Sequence, residues 1–266
     1  MDLYLATAQT SSRLFTNAYS SSFGLASRLF NKSIRPHIYN IYGLTRIADE
    51  IVDTYKGADA GKILDELEQE TYRAMARCYS TNPIVHAFQA TAQQFGIDKT
   101  LLQPFFASMR TDLTKRRFSQ AEYQRYIHGS AEVVGLMCLR VFCNGNDAQY
   151  TQLAEGARRL GAAYQKVNFL RDLAADHNEL QRCYFPGVTY EGFDEAAKQA
   201  IVADIRADFA VAAPTITDLP AGAKRAVRAS YRYYLALLDK LAATPAATIK
   251  KRRIRISNAR KLSLLV

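Results

Sequence analysis

Apolar residues recur along this chain three and four residues apart, the spacing of a helix face, and the polar breaks between such stretches are short. Within 33–55, Ile38, Ile41, Tyr42, Ile47, Ile51 and Val52 approximate one helical stripe, and Pro36 suits a first helical turn. The stretch 4–30 reads as a polar-to-apolar helical lead-in, with Ser20, Ser21 and Ser22 just before Phe23. Those serines either cap a helix or present hydroxyls to an anion. Further helices are predicted over 58–79, with a solvated acidic middle, from Pro83 past Phe95, and over 101–117, 193–212 and 222–243. Asp112, among Arg110, Lys115, Arg116 and Arg117, reads as a surface residue more readily than as part of a phosphate site. The stretch 122–144 is apolar nearly all round and is predicted to be the buried core helix. Its small residues Gly129, Ser130, Ala131 and Gly135 permit either close helix packing or room for a ligand chain. Tyr126 is a polar exception there, placed to turn its hydroxyl into a cavity. The stripe of Tyr231, Tyr233 and Tyr234 is read as core.

Composition narrows the fold class. With 266 residues, 48% of them hydrophobic, the chain can bury a large core, and only 13 glycines and 7 prolines favour long helices over a turn-rich β architecture. No apolar run is expected to approach the roughly 20 residues of a membrane span. The N-terminus has no basic segment followed by an apolar one, so no secretory signal is expected. Cys78, Cys138, Cys143 and Cys183 show no metal-like pairing and suit a reduced, cytoplasmic protein. The formal charge of +10 points to nucleic acid, an anionic membrane surface or an anionic substrate. The basic run from Lys250 to Arg255 lacks the patterning of a nucleic-acid reader, so no nucleic-acid partner is expected.

The chemistry gathers in two stretches. In a helix over 165–176, Asn168, Asp172 and Asp176 stand at i, i+4 and i+8. Each four-residue step advances about 400°, so the three oxygens drift by only about 80° and form one stripe. Hard oxygens in a stripe suit Mg²⁺, which shares its remaining positions with water and phosphates; the alternative is a solvated face. Upstream, Asp49 and Asp53 share a face, with Arg46 one turn before Asp49. A cation beside two carboxylates suits a diphosphate site, because the guanidinium forks onto phosphate oxygens; the alternative is an ordinary Arg46–Asp49 or Arg46–Glu50 surface pair.

Two acidic helical motifs more than a hundred residues apart, each with an arginine (Arg46 and Arg171), resemble the squalene/phytoene synthase family. Ser22-Phe23 followed by Arg28-Leu29 is similar to that family's N-terminal signature, and 42–53 to its first aspartate motif. Ala131 to Gly135 is similar to its central helix, and Gln165 to Asp176 to its second aspartate motif. Tyr184-Phe185-Pro186 and the stretch from Arg252 to Lys261 resemble later landmarks, so the likeness runs from about Ser20 to the C-terminus.

The resemblance implies an all-α isoprenoid-synthase-type bundle around an apolar cavity, with 1–266 as one such domain. It implies that Asp49, Asp53, Asn168, Asp172 and Asp176 hold Mg²⁺, or Mn²⁺, and that Arg46, Arg171, Gln165, Ser20, Ser22 and Phe23 contact substrate. Tyr42 and Tyr126 match positions lining the reaction cavity. The implied reaction joins two prenyl diphosphates head to head, with phytoene from geranylgeranyl diphosphate favoured and NADPH not expected. A farnesyl-using dehydrosqualene or squalene synthase is the alternative, and a non-catalytic lipid-binding or assembly homologue a third reading. The expected location is cytoplasmic, with peripheral contact with the inner face of the membrane left open, as is oligomeric state. There are departures from the family pattern: Ala175 replaces a frequent acidic residue, Gly24 replaces a common aromatic, and Gln181 and Cys183 alter the loop around Arg182. No hydrophobic C-terminal anchor is expected after Arg260-Lys261.

Overall fold

The computed structural model describes residues 2–20, 24 and 26–264; these contain no strand, only one isolated parallel bridge between Arg117 and Cys183. Helix α1 (Leu3–Tyr19) starts where the Asp2 side chain accepts the Tyr4 amide, and α2 (Arg35–Asp49) has Pro36 in its first turn. α2 runs directly into a π-helical turn, Glu50–Thr54, closed by the Tyr55 amide on the Glu50 carbonyl at 2.9 Å. Then come α3 (Ala60–Arg77), α4 (Pro83–Phe95) and α5 (Lys99–Thr114). α6 (Gln120–Ile127), a second π-helical turn (His128–Glu132) and α7 (Val133–Cys143) form one continuous rod. α8 (Asp147–Leu180), α9 (Glu195–Asp218), α10 (Ala221–Ala243), α11 (Ala246–Ile249) and α12 (Asn258–Ser263) complete the chain.

Local chemistry sets many of these boundaries. Asn82 accepts the Ile84 amide at 3.0 Å to open α4, and Gly96, at φ 68°, closes it in the left-handed region. Ser119 and Glu122 form a reciprocal capping box at the start of α6. α9 continues past the expected stop at Ala212, through Pro214. Pro214 cannot donate to the Ala210 carbonyl one turn before it; the helix nonetheless continues to Asp218.

Packing follows from the apolar stripes. One cluster joins α2 to α5 and α7 around Ile38, Leu44, Phe88, Leu102, Phe105 and Met137. A second joins α6, α8, α9 and α10 around Leu170, Ile205, Phe209, Leu237 and Leu238. α8, 34 residues and so about 51 Å long, packs against α7, α9, α10 and the second π-helical turn. The small residues of the central rod turn out to be packing devices. A Cβ on Gly129 would lie 2.1 Å from the Pro104 carbonyl oxygen, one on Gly135 2.7 Å from that of Ala157, and one on Gly161 2.6 Å from that of Ala131. Gly135, Gly161 and Ala131 also face the cavity described below, so close packing and room for a ligand coincide.

The expectation that no stretch is long and apolar enough to span a membrane needs correction. The rod Gln120–Cys143 is, by length and composition, and 67% of its most apolar window is buried in the bundle. It is apolar because α5 and α8 enclose it. All four cysteines are free, and Cys78 is exposed.

Candidate active site

One cavity of about 510 Å³ lies between the two core clusters. Along α8 its wall changes character. Leu153, Gly156, Ala157 and Leu160 line one end, and Gln165, Asn168, Asp172 and Asp176 line the other. The 23 residue steps from Leu153 to Asp176 span about 35 Å of helix. Phe30, Phe142, Ile216 and Leu219 close the apolar end, with the Phe30 and Phe142 rings stacked at 5.4 Å. Asp49 and Asp53 face the polar end from α2 and its π-helical turn, and Asp112 and Tyr126 face it from α5 and α6. The two acidic motifs of the sequence therefore meet across one opening.

The carboxylates feel one another. Burial, and then Asp53 and Asp112, push Asp49 up to about 8 against the opposing pull of Arg46. Burial, and then Asp172 and Asp53, push Asp176 up to about 7. Asp53 thus acts on members of both motifs. Asp112 is raised to about 7, chiefly by burial, although Arg182 and the Tyr126 hydroxyl, which donates to its Oδ2 at 2.8 Å, oppose the rise. Asp112 is buried and lines the cavity, which corrects its reading as a surface residue. Its place was legible: it continues the spacing of Phe105 and Met109, seven and three residues earlier on the buried face of α5.

Arg182, whose role the sequence left in doubt, holds this end together. Its guanidinium, 3% exposed, donates to Asp53 Oδ1 at 2.8 Å, to the Asp112 carbonyl at 2.6 Å and to the Tyr184 hydroxyl at 3.2 Å. It arrives there because Gln181 ends α8 at φ 54° and turns the chain back, and the Cys183 amide then bonds the Arg116 carbonyl at 3.0 Å. Gln181 supplies the left-handed turn that a glycine would give without strain.

The remaining expected residues fall as follows. Tyr42, Gln165 and Arg171 line the cavity. Ser20 ends α1 as its C-cap and hydrogen-bonds Tyr42, and its carbonyl accepts the Gly24 amide at 2.9 Å, as the residue that opens a following helical turn would. Ser22 and Phe23 lie outside the described residues. Arg46 does not line the cavity; it pairs with Glu50, stands 3.9 Å from Asp49 and lies over the Tyr19 ring, so the ordinary ion pair of the alternative reading is formed. Asp172 is held by its neighbour Arg171 at 2.9 Å and by Arg253 at 2.7 Å. Arg253 belongs to the basic run that the sequence suggested was merely solvated, and no local pattern marks it out. Tyr234, read as core, stacks on Tyr164 at 4.0 Å and hydrogen-bonds Asn168.

The donor set is all oxygen, which suits a hard divalent cation. Asn168 Oδ1 is buried with no hydrogen-bond partner among the described residues, so it fits a cation as a ligand. No three acidic, His or Cys side chains among the described residues are already gathered tightly enough to hold an ion by themselves. The oxygens instead ring the opening, an arrangement suited to cations that take part of their coordination from a bound phosphate.

The squalene/phytoene synthase family model matches residues 16–260. The chain belongs to the squalene/phytoene synthase family. Among its relatives in that family, the 15-cis-phytoene synthase of Pantoea ananas is 28% identical over 66% of this chain and 59% of its own length. The chloroplastic phytoene synthase 1 of Zea mays is 27% identical over 88% of this chain and 61% of its own length. The chain thus spans about 60% of the length of these relatives. A dehydrosqualene synthase crystal structure superposes with a TM-score of 0.83 at 19% identity, covering 98% of this chain and 95% of the other. A squalene synthase from Alicyclobacillus acidocaldarius gives 0.79 at 22% identity, covering 96% and 98%. These likenesses show the shared all-α isoprenoid-synthase fold, as the motifs implied.

Proposed function

We infer that this chain, acting as one domain, joins two prenyl diphosphates head to head, and that the substrate is geranylgeranyl diphosphate and the product 15-cis-phytoene. The observation that carries the reading is a cavity with two acidic motifs at one end and an apolar body beyond them. Relatives named phytoene synthase favour the C20 substrate; a relative from Staphylococcus haemolyticus named 4,4'-diapophytoene synthase, 26% identical over 71% of the chain, keeps the farnesyl-using alternative in view.

Asp49, Asp53, Asn168, Asp172 and Asp176 would hold Mg²⁺, or Mn²⁺, whose Lewis acidity when bound neutralises charge growing on the leaving diphosphate. Arg171 and Arg253 stand beside Asp172 and would fork onto phosphate oxygens. Arg46 would join them only by leaving Glu50. As the allylic C–O bond of one substrate breaks, diphosphate departs, and the double bond of the second substrate attacks the resulting cation. Loss of a proton closes a cyclopropyl diphosphate. A second C–O cleavage, rearrangement and proton loss then give the hydrocarbon, with no reductant in the balance. Phe105, Met109, Leu160 and Phe169 wall the cavity and would keep water from the cation, while Tyr42 and Tyr126, which also line it, would border the reacting carbons.

Purified protein with Mg²⁺ should turn geranylgeranyl diphosphate into a C40 hydrocarbon without NADPH, read by mass spectrometry, and a chelator should abolish the product. A C30 product from farnesyl diphosphate alone moves the assignment to the alternative substrate. No hydrocarbon and no released diphosphate from folded, Mg²⁺-supplied protein favours the non-catalytic reading.

A further inference from the structure

Six basic side chains gather on one face behind the apolar end of the cavity. No acidic residue occurs between 3 and 48, nor between 219 and 238. The structure brings these two acid-free stretches together: the Asn31 amide donates to the Gly222 carbonyl at 3.0 Å, and a Cβ on Gly222 would meet Ile34 at 2.9 Å and Asn31 at 3.2 Å. Arg35 pins the same segment by donating to the Arg28 carbonyl at 2.7 Å and the Phe30 carbonyl at 2.9 Å. On α10, Arg225, Arg228 and Arg232 fall within about 60° of arc. All three are exposed, as are Arg28 and Lys32 on the adjoining segment, and Lys224 is half-buried beside them. None of these six cations forms an ion pair within 4.0 Å among the described residues, whereas Arg110, Arg140, Arg158 and Arg206 elsewhere on the surface all do. The acid nearest in sequence, Asp218, ends α9 before α10 begins.

The reverse side of the same wall is apolar. Ala226, Val227 and Ser230 on α10, and Ala26 and Phe30 on the adjoining segment, line the cavity. The cations therefore stand about one helix diameter, 10 Å, from the apolar end of the cavity.

We propose that the face formed by α10 and residues 28–34 docks on an anionic phospholipid bilayer. A row of exposed arginines without ion pairs complements a continuous anionic plane, and none of the exposed large apolar side chains among the described residues lies on this face, so binding is electrostatic and reversible by salt. A nucleic acid is disfavoured, because the face offers neither an aromatic stacking platform nor a cleft. The cavity's position behind the face adds a consequence, which rests on the reading above: an oily product would leave toward lipid across the thin wall of α10.

The test uses the full chain and needs no turnover, so its failure is separate from failure of the enzymatic reading. Vesicles of phosphatidylcholine alone, or with added phosphatidylglycerol, are sedimented with the protein at low and high salt. Binding is expected only with phosphatidylglycerol and only at low salt. Each basic residue near such a surface is worth about fivefold in partitioning, so R225Q/R228Q/R232Q should weaken binding about a hundredfold. The control K62Q/R73Q/R77Q, on the exposed face of α3, should leave it unchanged, and circular dichroism should show the same helicity in all three proteins. Equal loss in both triple variants, equal binding to uncharged vesicles, or tighter binding to an oligonucleotide than to the anionic vesicles would each overturn the proposal.

Discussion

Replacing Arg182 by methionine tests the interior of the acidic end directly. The guanidinium is almost fully enclosed and compensates Asp112, whose side chain is 5% exposed and whose Oδ1 stands 3.6 Å away. Removing one partner of a buried pair leaves the other charge uncompensated and costs about 3–5 kcal/mol, and Asp112, already raised to about 7, can take up a proton, which holds the loss to the lower end. The contact with Asp53 adds little, because that carboxylate is 42% exposed and solvated. A loss near the lower bound, about 3 kcal/mol, corresponds to a fall in Tm of about 6–12 °C for a chain of this size. Thermal unfolding followed by circular dichroism measures it. Asp112→Asn removes the uncompensated charge, so Arg182→Met/Asp112→Asn should be more stable than the sum of the single changes by about 1–2 kcal/mol. Strict additivity, or an unchanged Tm in the single variant, would refute the argument that Arg182 neutralises Asp112. Turnover supplies a second reading: with Asp53 no longer held, R182M should need more Mg²⁺ for half-maximal rate.

Asp172→Ala should cut hydrocarbon formation by about a hundredfold or more while helicity stays intact, since the carboxylate sits at the opening and not in the core; near-normal turnover would remove it from the site. Gly135→Val should destabilise the chain by about 1–3 kcal/mol in urea unfolding, because its Cβ would fall 2.7 Å from the Ala157 carbonyl oxygen and force α7 away from α8. Gln181→Gly should raise stability by about 0.5–1 kcal/mol, as the left-handed turn at φ 54° loses its steric cost; a loss of stability would mean that the Gln181 side chain itself holds the loop.

The two acidic stripes were legible in the sequence because helical spacing is local: Asp49 with Asp53, and Asn168 with Asp172 and Asp176, share faces whatever the rest of the chain does. The same periodicity marked a buried helix over 122–144, found as part of the rod Gln120–Cys143, and it would have placed Asp112 inside had the charges around it not suggested the surface. It gave no warning of the π-helical turns at Glu50–Thr54 and His128–Glu132, since one widened turn leaves the apolar pattern nearly unchanged. It also suggested that the basic run near the C-terminus was solvated, because a charge run looks the same whether or not one arginine reaches back to a carboxylate.

What the sequence by itself determined, then, is the helical character of the chain, the faces that carry the acidic side chains, and the excess of positive charge. Only the tertiary structure decided which of those faces meet. Arg182 reaches Asp53 across 129 residues, Arg253 reaches Asp172 across 81, and the cationic stretches beside Asn31 and Gly222 join across nearly 200. Such partnerships are set by how helices stack and where the chain turns between them. Their energy comes from burial and charge compensation in three dimensions, which no local spacing records.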